Sequence, residues 1–185
     1  MKKIYKLLFV FVLLFSCSSN DSEDDNTNDA TSIDLLTGIN AKQDDISGYY
    51  LLGNPNVRMP LNIASTSIIA FPNPSTGYLS VKLMMTNDVI SDVWIVPGRV
   101  DKEQFQNVDF DDILTGITYT IDEISDIATE SFNDLDNNEL VFNLESLETG
   151  YYRVFIKTNQ NLYWDNIYLD NGNGLDITEI FDYWD

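Results

Sequence analysis

Short apolar runs separated by Gly, Pro, Asn and Asp constrain the fold of this 185-residue chain more than any other feature of its sequence. Polar and apolar side chains alternate in the clearest run, residues 78–85, whose apolar face consists of Leu79, Val81, Leu83 and Met85. Alternation with a period of two is typical of a strand with one face in a core and the other in solvent. We therefore expect strands to dominate the chain from residue 33 onwards.

The same reasoning predicts further strands along the chain. They lie at 49–52, 67–71, 93–96, 117–121, 140–144, 152–156 and 162–169. Residues 93–96 are apolar on both faces, which is expected of a strand covered on both sides. Residues 72–77 and 159–161 are rich in the Pro, Asn and Gly that form turns.

One stretch has helical spacing instead. Apolar residues recur every three or four positions from Ile121 to Phe132, and Thr120 with Glu123 matches a capping box. We predict a short helix at about 121–131. Eight or so short strands with one helical insertion predict an all-β fold, an antiparallel β-sandwich that occupies residues 33–185 as a single domain.

The net charge and the types of residue present exclude several functions. Thirty acidic residues against ten basic ones give a net charge of −20, which argues against a nucleic-acid partner because phosphates need a basic patch. The chain has no histidine and a single cysteine, Cys17, so Cys/His zinc sites, Ser-His-Asp triads and internal disulfides are excluded. Paired carboxylates could hydrolyse glycosides, but nothing selects a pair, and we expect no enzyme and no cofactor.

The N-terminus has the features of an export signal. Three lysines precede a nine-residue apolar run, residues 7–15, which is too short to span about 30 Å of hydrocarbon. Residues 14–17, Leu-Phe-Ser-Cys, resemble the bacterial lipobox. The resemblance implies that residues 1–16 are a lipoprotein signal peptide and that Cys17 is lipidated after cleavage. An ordinary secretory peptide with a chance cysteine is the alternative.

Residues 17–32 are predicted to be an acidic, flexible tether. The segment after Cys17 contains five carboxylates and no apolar residue except one alanine, so it cannot bury enough surface to fold, and as a coil it would reach roughly 20–25 Å. Acidic residues after a lipidated cysteine resemble the surface-export signals of Bacteroidota lipoproteins. This resemblance implies a lipid-anchored protein of the outer membrane that faces the cell exterior; the alternative is an inward-facing periplasmic lipoprotein.

Two segments of the folded part resemble a known family. Residues 71–81 contain a Phe-Pro-Asn-Pro turn and a glycine before an alternating strand, and residues 147–156 follow the pattern L-x-x-G-x-Y-x-x-x-I. Both features are similar to the type A C-terminal sorting domain of the type IX secretion system. The resemblance covers about residues 66–169, and it implies an immunoglobulin-like sandwich and the type IX translocon as a partner.

Other features favour a different role. Sixteen residues, 170–185, follow the strand at which a sorting domain normally ends, and only about 33 residues separate the tether from residue 66. We therefore predict a non-catalytic surface lipoprotein whose sandwich is an interaction module or an accessory subunit of an outer-membrane complex. The alternatives are a cargo-poor sorting-domain protein and a carbohydrate-binding or adhesin-type surface module.

Two acidic turns and three tryptophans are the remaining candidate sites. Residues 134–145 resemble the ligand positions of an EF-hand, but Glu139 stands where the loop needs glycine, so an acidic turn is favoured and no metal site is predicted. Residues 170–174 form a second oxygen-rich turn. Sugar could stack on Trp94, Trp164 and Trp184 together with the ten tyrosines, although core and strand-face positions are favoured for these aromatic residues. Of the three, Trp184 is expected to be exposed, or else to pack the C-terminus against the sandwich.

Overall fold

A computed structural model describes residues 32–46, 48–55, 67–84, 87–100, 102, 119–172 and 177–184. The described residues include eleven strands: β1 (Leu35–Leu36), β2 (Gly38–Ala41), β3 (Tyr50–Gly53), β4 (Ile68–Phe71), β5 (Tyr78–Leu83), β6 (Ile90–Pro97), β7 (Arg99–Val100), β8 (Glu130–Phe132), β9 (Glu139–Asn143), β10 (Gly150–Thr158) and β11 (Leu162–Leu169). Two helices, α1 (Ile121–Ile127) and α2 (Ile177–Trp184), complete the described secondary structure.

Two antiparallel sheets form a sandwich. One has the strand order β4-β5-β9 and the other the order β11-β10-β6-β8. Inward-facing residues of both sheets share one core, which includes Ile68, Leu79, Val81, Val93, Ile95, Phe142, Val154, Ile156 and Ile167. The predicted strand 78–85 is confirmed over Tyr78–Leu83, where exposed and half-buried residues alternate with buried ones. Three strands facing four in this order is the arrangement of an immunoglobulin-like sandwich, as predicted.

A tyrosine near the start of β10 closes the sandwich at one end. The Tyr152 hydroxyl donates a hydrogen bond of 2.7 Å to the backbone carbonyl of Glu148, four residues upstream. Immunoglobulin-like domains contain the same contact, the tyrosine corner, where the chain crosses from one sheet to the other. Burial raises the pKa of the Tyr152 hydroxyl, so it remains a donor at neutral pH.

The outer face of the four-stranded sheet is also covered. Helix α1 packs on it through Ile124 against Trp94, Phe155 and Trp164. The β2–β3 hairpin and α2 cover the neighbouring part of the sheet, where Tyr168 of β11 is buried. All four residues from Val93 to Val96 are consequently buried, which confirms the prediction of a strand covered on both sides.

Arg153 lies in the middle of this covered face and is fully buried. Its guanidinium is stacked 4.3 Å from the Trp164 ring and donates hydrogen bonds to the Asn166 side chain and to the backbone carbonyls of Ile33 and Leu35. Those carbonyls belong to the segment in which β1 pairs in parallel with β7. Arg153 therefore holds the N-terminal segment of the domain to the sheet.

The helical predictions are partly corrected. The capping box of Thr120 and Glu123 is confirmed, but α1 ends at Ile127 rather than near 131, because Ala128 is extended and β8 begins at Glu130 to pair with β6. The expectation of a strand at 117–121 is wrong where the structure describes it, because Tyr119 is not in a strand and Ile121 begins α1. Residues 117–118 lie outside the described residues. A second helix, α2, was not predicted.

Candidate ligand-binding groove

A groove with a volume of about 740 Å³ opens on the side of the sandwich. It lies among the loop that follows β2, the start of β3, the Pro-Asn-Pro turn and helix α2. Its lining residues are Ala41, Lys42, Gln43, Gly48, Tyr49, Tyr50, Asn73, Pro74 and Phe181. The volume falls within the range of about 300–1,000 Å³ that is common for small-molecule sites.

Three aromatic rings give the groove its chemical character. Tyr50 is 70% exposed and Tyr49 is 46% exposed. Tyr50 meets Phe181 of α2 edge to face, with 6.4 Å between the ring centroids. The Lys42 ammonium lies 5.7 Å from the centroid of the Tyr49 ring, which is within the range of a cation–π contact. The groove therefore combines aromatic surface with a cationic donor.

The two tyrosines lie where β3 begins: Tyr49 precedes the strand and Tyr50 is its first residue. This strand pairs with β2 in a two-stranded hairpin, with Leu52 opposite Ile39. Leu52 is buried against α2, whereas Leu51 is more than half exposed. Sequence reasoning predicted a strand at 49–52 but missed the groove, because four consecutive apolar residues do not indicate which of them face solvent.

Asn73, the central residue of the Pro-Asn-Pro turn, holds one wall of the groove. Its side-chain amide donates to the carbonyls of Asn40 in β2 and Asn166 in β11, at 2.7 and 2.9 Å. Its side-chain oxygen accepts from the Tyr168 amide at 3.0 Å. Its backbone exchanges two hydrogen bonds with Lys42. One buried side chain thus joins the turn, the hairpin and the last strand of the sandwich.

A buried carboxyl group lies behind the groove. Asp165 of β11 is only 3% exposed, and it accepts hydrogen bonds from the Asn40 side chain at 3.1 Å and from the Asn166 backbone amide at 2.9 Å. Burial raises the pKa of Asp165 to about 7, although the Asn40 hydrogen bond and the Lys42 charge act in the opposite direction. The carboxyl therefore titrates near neutral pH, beside the hairpin that carries the groove.

An ion pair anchors the loop that carries Lys42 and Gln43. The Lys82 ammonium of β5 lies 2.7 Å from the Asp45 carboxylate and 3.5 Å from Glu139. The hydrogen bond between Lys82 and Asp45 raises the pKa of the lysine and lowers that of the aspartate. The loop is thereby joined to the three-stranded sheet as well as to the Pro-Asn-Pro turn.

The candidate sites predicted from sequence lie elsewhere. Cys17 and the tether up to residue 31 are outside the described residues. Trp94, Trp164 and Trp184 are all nearly fully buried, so they cannot form a sugar-stacking surface. The expectation that Trp184 is exposed is wrong; its indole packs against Tyr151 and Gly53, which matches the alternative that it packs the C-terminus against the sandwich.

The two acidic turns are not brought together. Residues 139–143 of the EF-hand-like segment form β9, and the Glu145 carboxylate accepts a hydrogen bond from the neighbouring Asn143 side chain. Residues 170–172 form a bend after β11, and 173–174 lie outside the described ranges. In the described part of the chain, no three Cys, Asp or Glu side chains are grouped so that they could hold a metal ion.

No family model, curated protein or solved structure matches the chain. The similarity to the sorting domain therefore remains a prediction from residues 71–81 and 147–156. Neither helix in the described ranges has the length and apolarity needed to cross a membrane.

Proposed function

We propose that this protein is a non-catalytic binding module, anchored by lipid at Cys17 on the outer surface of the outer membrane, and that its ligand enters the groove beside Tyr49 and Tyr50. The exposed aromatic groove is the observation that carries the proposal. Concave sites lined by aromatic side chains and a few polar groups are the usual form of a ligand site.

The surroundings of the groove support a role in binding. Ile46 and Leu51, which lie close to the two tyrosines in the sequence, are also exposed, at 89% and 53%. Adjacent exposed apolar side chains on a soluble domain commonly mark a surface that contacts another molecule. The hydrogen bonds of Asn73 and the ion pair of Lys82 hold the walls of the groove, so its shape is set before a ligand arrives.

The N-terminal sequence supports the location. A lipid on Cys17 would hold the chain at the membrane, and the acidic tether would keep the domain away from it, since carboxylates are repelled by anionic lipids. After removal of three lysines with the signal peptide, seven basic residues remain against thirty acidic ones, a charge of −23. Incorporation of labelled palmitate, lost in Cys17→Ser, tests the anchor.

Photo-crosslinking in intact cells tests the groove without knowledge of the ligand. A photoreactive phenylalanine analogue replaces Tyr50, and in a matched control it replaces Tyr78, which is 49% exposed on β5 outside the groove. We expect ultraviolet light to produce an adduct of higher mass at position 50 and much less at position 78. Equal adducts at both positions, or none at position 50, would contradict the proposal.

A role as a type IX sorting domain is the second candidate. One observation favours it: the residues that carry the resemblance belong to a single sandwich, with the Pro-Asn-Pro turn leading from β4 into β5 and residues 147–156 entering β10. Surface exposure of the full chain in a type IX translocon mutant separates the two roles. Exposure that persists in the mutant supports export as a lipoprotein, and exposure that is lost makes the sorting role primary.

A further inference from the structure

We infer that the groove binds a neutral oligosaccharide, an inference that rests on the proposed binding function and adds the chemical class of the ligand. A sugar ring has apolar C–H faces and a rim of hydroxyl groups. Such a molecule needs aromatic faces for its C–H groups and hydrogen-bonding side chains for its rim. The groove supplies both.

The aromatic part consists of Tyr49, Tyr50 and Phe181. The rings of Tyr50 and Phe181 meet edge to face rather than in a stack, with an angle of 67° between them. An edge contact of this kind leaves ring faces open to a further partner. Because Tyr49 and Tyr50 are 46% and 70% exposed, a ligand can reach them without any displacement of the core.

The polar part is beside these rings. Lys42 and Gln43 line the groove, and their side chains can donate to ligand oxygens, while the Gln43 amide can also accept from a hydroxyl group. The tyrosine hydroxyls add groups that both donate and accept. Donors and acceptors are thus mixed, as a ligand rich in hydroxyl groups requires.

Charge selects a neutral ligand over an acidic one. Asp44 follows Lys42 and Gln43 in the same loop, and Asp182 is exposed beside Phe181 on α2. The whole chain carries −20, so an anionic polysaccharide would meet net electrostatic repulsion, which a neutral one does not. An extended peptide would bind instead by adding to a strand edge through backbone hydrogen bonds, a mode that makes no use of the exposed aromatic rings.

Titration calorimetry with defined oligosaccharides tests the inference. The full mature chain is titrated with cellohexaose, maltohexaose, xylohexaose and mannohexaose, and with the acidic hexamers of hyaluronan and galacturonan. We expect heat of binding from at least one neutral hexamer and none from the acidic ones. Tyr50→Ala should weaken that binding by at least about tenfold, a difference of about 1.4 kcal/mol. Tyr50→Phe should change it by less than about threefold, because the ring face is kept.

Tyr78→Ala is the matched control, since it removes an exposed tyrosine outside the groove and should leave binding unchanged. Circular dichroism verifies that each variant is folded. The absence of binding to every neutral hexamer, a preference for the acidic hexamers, or an equal loss in Tyr50→Ala and Tyr78→Ala would overturn the inference. A crosslink from position 50 to a protein, without neutral-sugar binding, would overturn the ligand class and leave the proposed binding function intact.

Discussion

Among the described residues, Asp165 is the carboxyl whose pKa lies furthest from its ordinary value. It is buried, and its pKa is raised to about 7. For a carboxyl whose pKa is higher in the folded state than in the unfolded one, the stabilising contribution is complete below the unfolded value, near 4, and is lost as the pH rises through 7. The contribution of Asp165 to the stability of the native protein therefore decreases as the pH rises from about 4 to about 7.

Asp165→Asn is expected to remove this pH dependence. The asparagine side chain occupies nearly the same volume, and its oxygen can still accept from Asn40 and from the Asn166 amide. We expect the variant to be more stable than the wild type by about 4 kcal/mol at pH 8, since a pKa raised from about 4 to about 7 corresponds to that difference, and the difference to vanish near pH 4. Urea unfolding at both pH values measures the difference, and a variant that is equally stable to the wild type at pH 8 contradicts the raised pKa.

Asn73 provides the second test at the residue scale. Asn73→Ala removes three side-chain hydrogen bonds and leaves buried polar groups of β2 and β11 without their partner. We expect the free energy of unfolding to fall by about 3 kcal/mol, because each buried group left unsatisfied costs about 1–3 kcal/mol. The control is Asn133→Ala, at an exposed position, with a change within about 0.5 kcal/mol. Similar losses in both variants would contradict the role of Asn73.

Helix α2 packs the C-terminal residues 177–184 against the sandwich. Ile180 and Trp184 are buried against β2, β3 and Tyr168, and the backbone at Gly53 lies so close to the indole that a Cβ at that position would be 2.5 Å from it. Gly53 also has a positive φ of 66°, which glycine adopts without strain. Residues 177–184 are therefore part of the domain, and they form one wall of the groove through Phe181.

Trp184→Ala is expected to be strongly destabilising. Removal of a buried tryptophan costs about 3–5 kcal/mol through lost burial and the cavity left behind, and thermal unfolding should shift accordingly. Asp182→Ala, at an exposed position of the same helix, serves as the control and should unfold close to the wild-type temperature. A Trp184 variant as stable as this control would show that α2 does not pack as described.

Elements defined by local pattern were predictable from the sequence, and elements defined by distant contacts were not. Alternation located β5 and β9, and the Thr120–Glu123 pair located the start of α1. The end of α1 depends on the pairing of β8 with β6, which no local pattern records. The burial of Arg153 depends on carbonyls 118 and 120 residues away.

The groove was unpredictable for the same reason. Its walls come from the hairpin, the Pro-Asn-Pro turn and α2, which are far apart in the sequence. The three tryptophans are the largest aromatic residues and were candidates for stacking on a sugar, but the sheet and its covering layers bury all three. The exposed rings are Tyr49, which precedes the short strand β3, and Tyr50, which begins it.

At the scale of the whole molecule, we propose that a lipid on Cys17 and the acidic tether hold the sandwich with its groove facing the medium. The orientation of the domain is the central claim, because a groove that faces the periplasm could not meet an external ligand. Cys17 is the single cysteine of the chain, and its thiol would be consumed by lipidation. An engineered cysteine therefore reports its own accessibility without interference.

Thiol labelling of intact cells tests this claim most directly. Tyr50→Cys, at the groove, and Val141→Cys, at a 65% exposed position on β9, are each treated with a membrane-impermeant maleimide before and after lysis. We expect rapid labelling of both variants in intact cells, with labelling at position 50 slowed when a ligand fills the groove. Labelling of both positions only after lysis would contradict this expectation and place the domain in the periplasm.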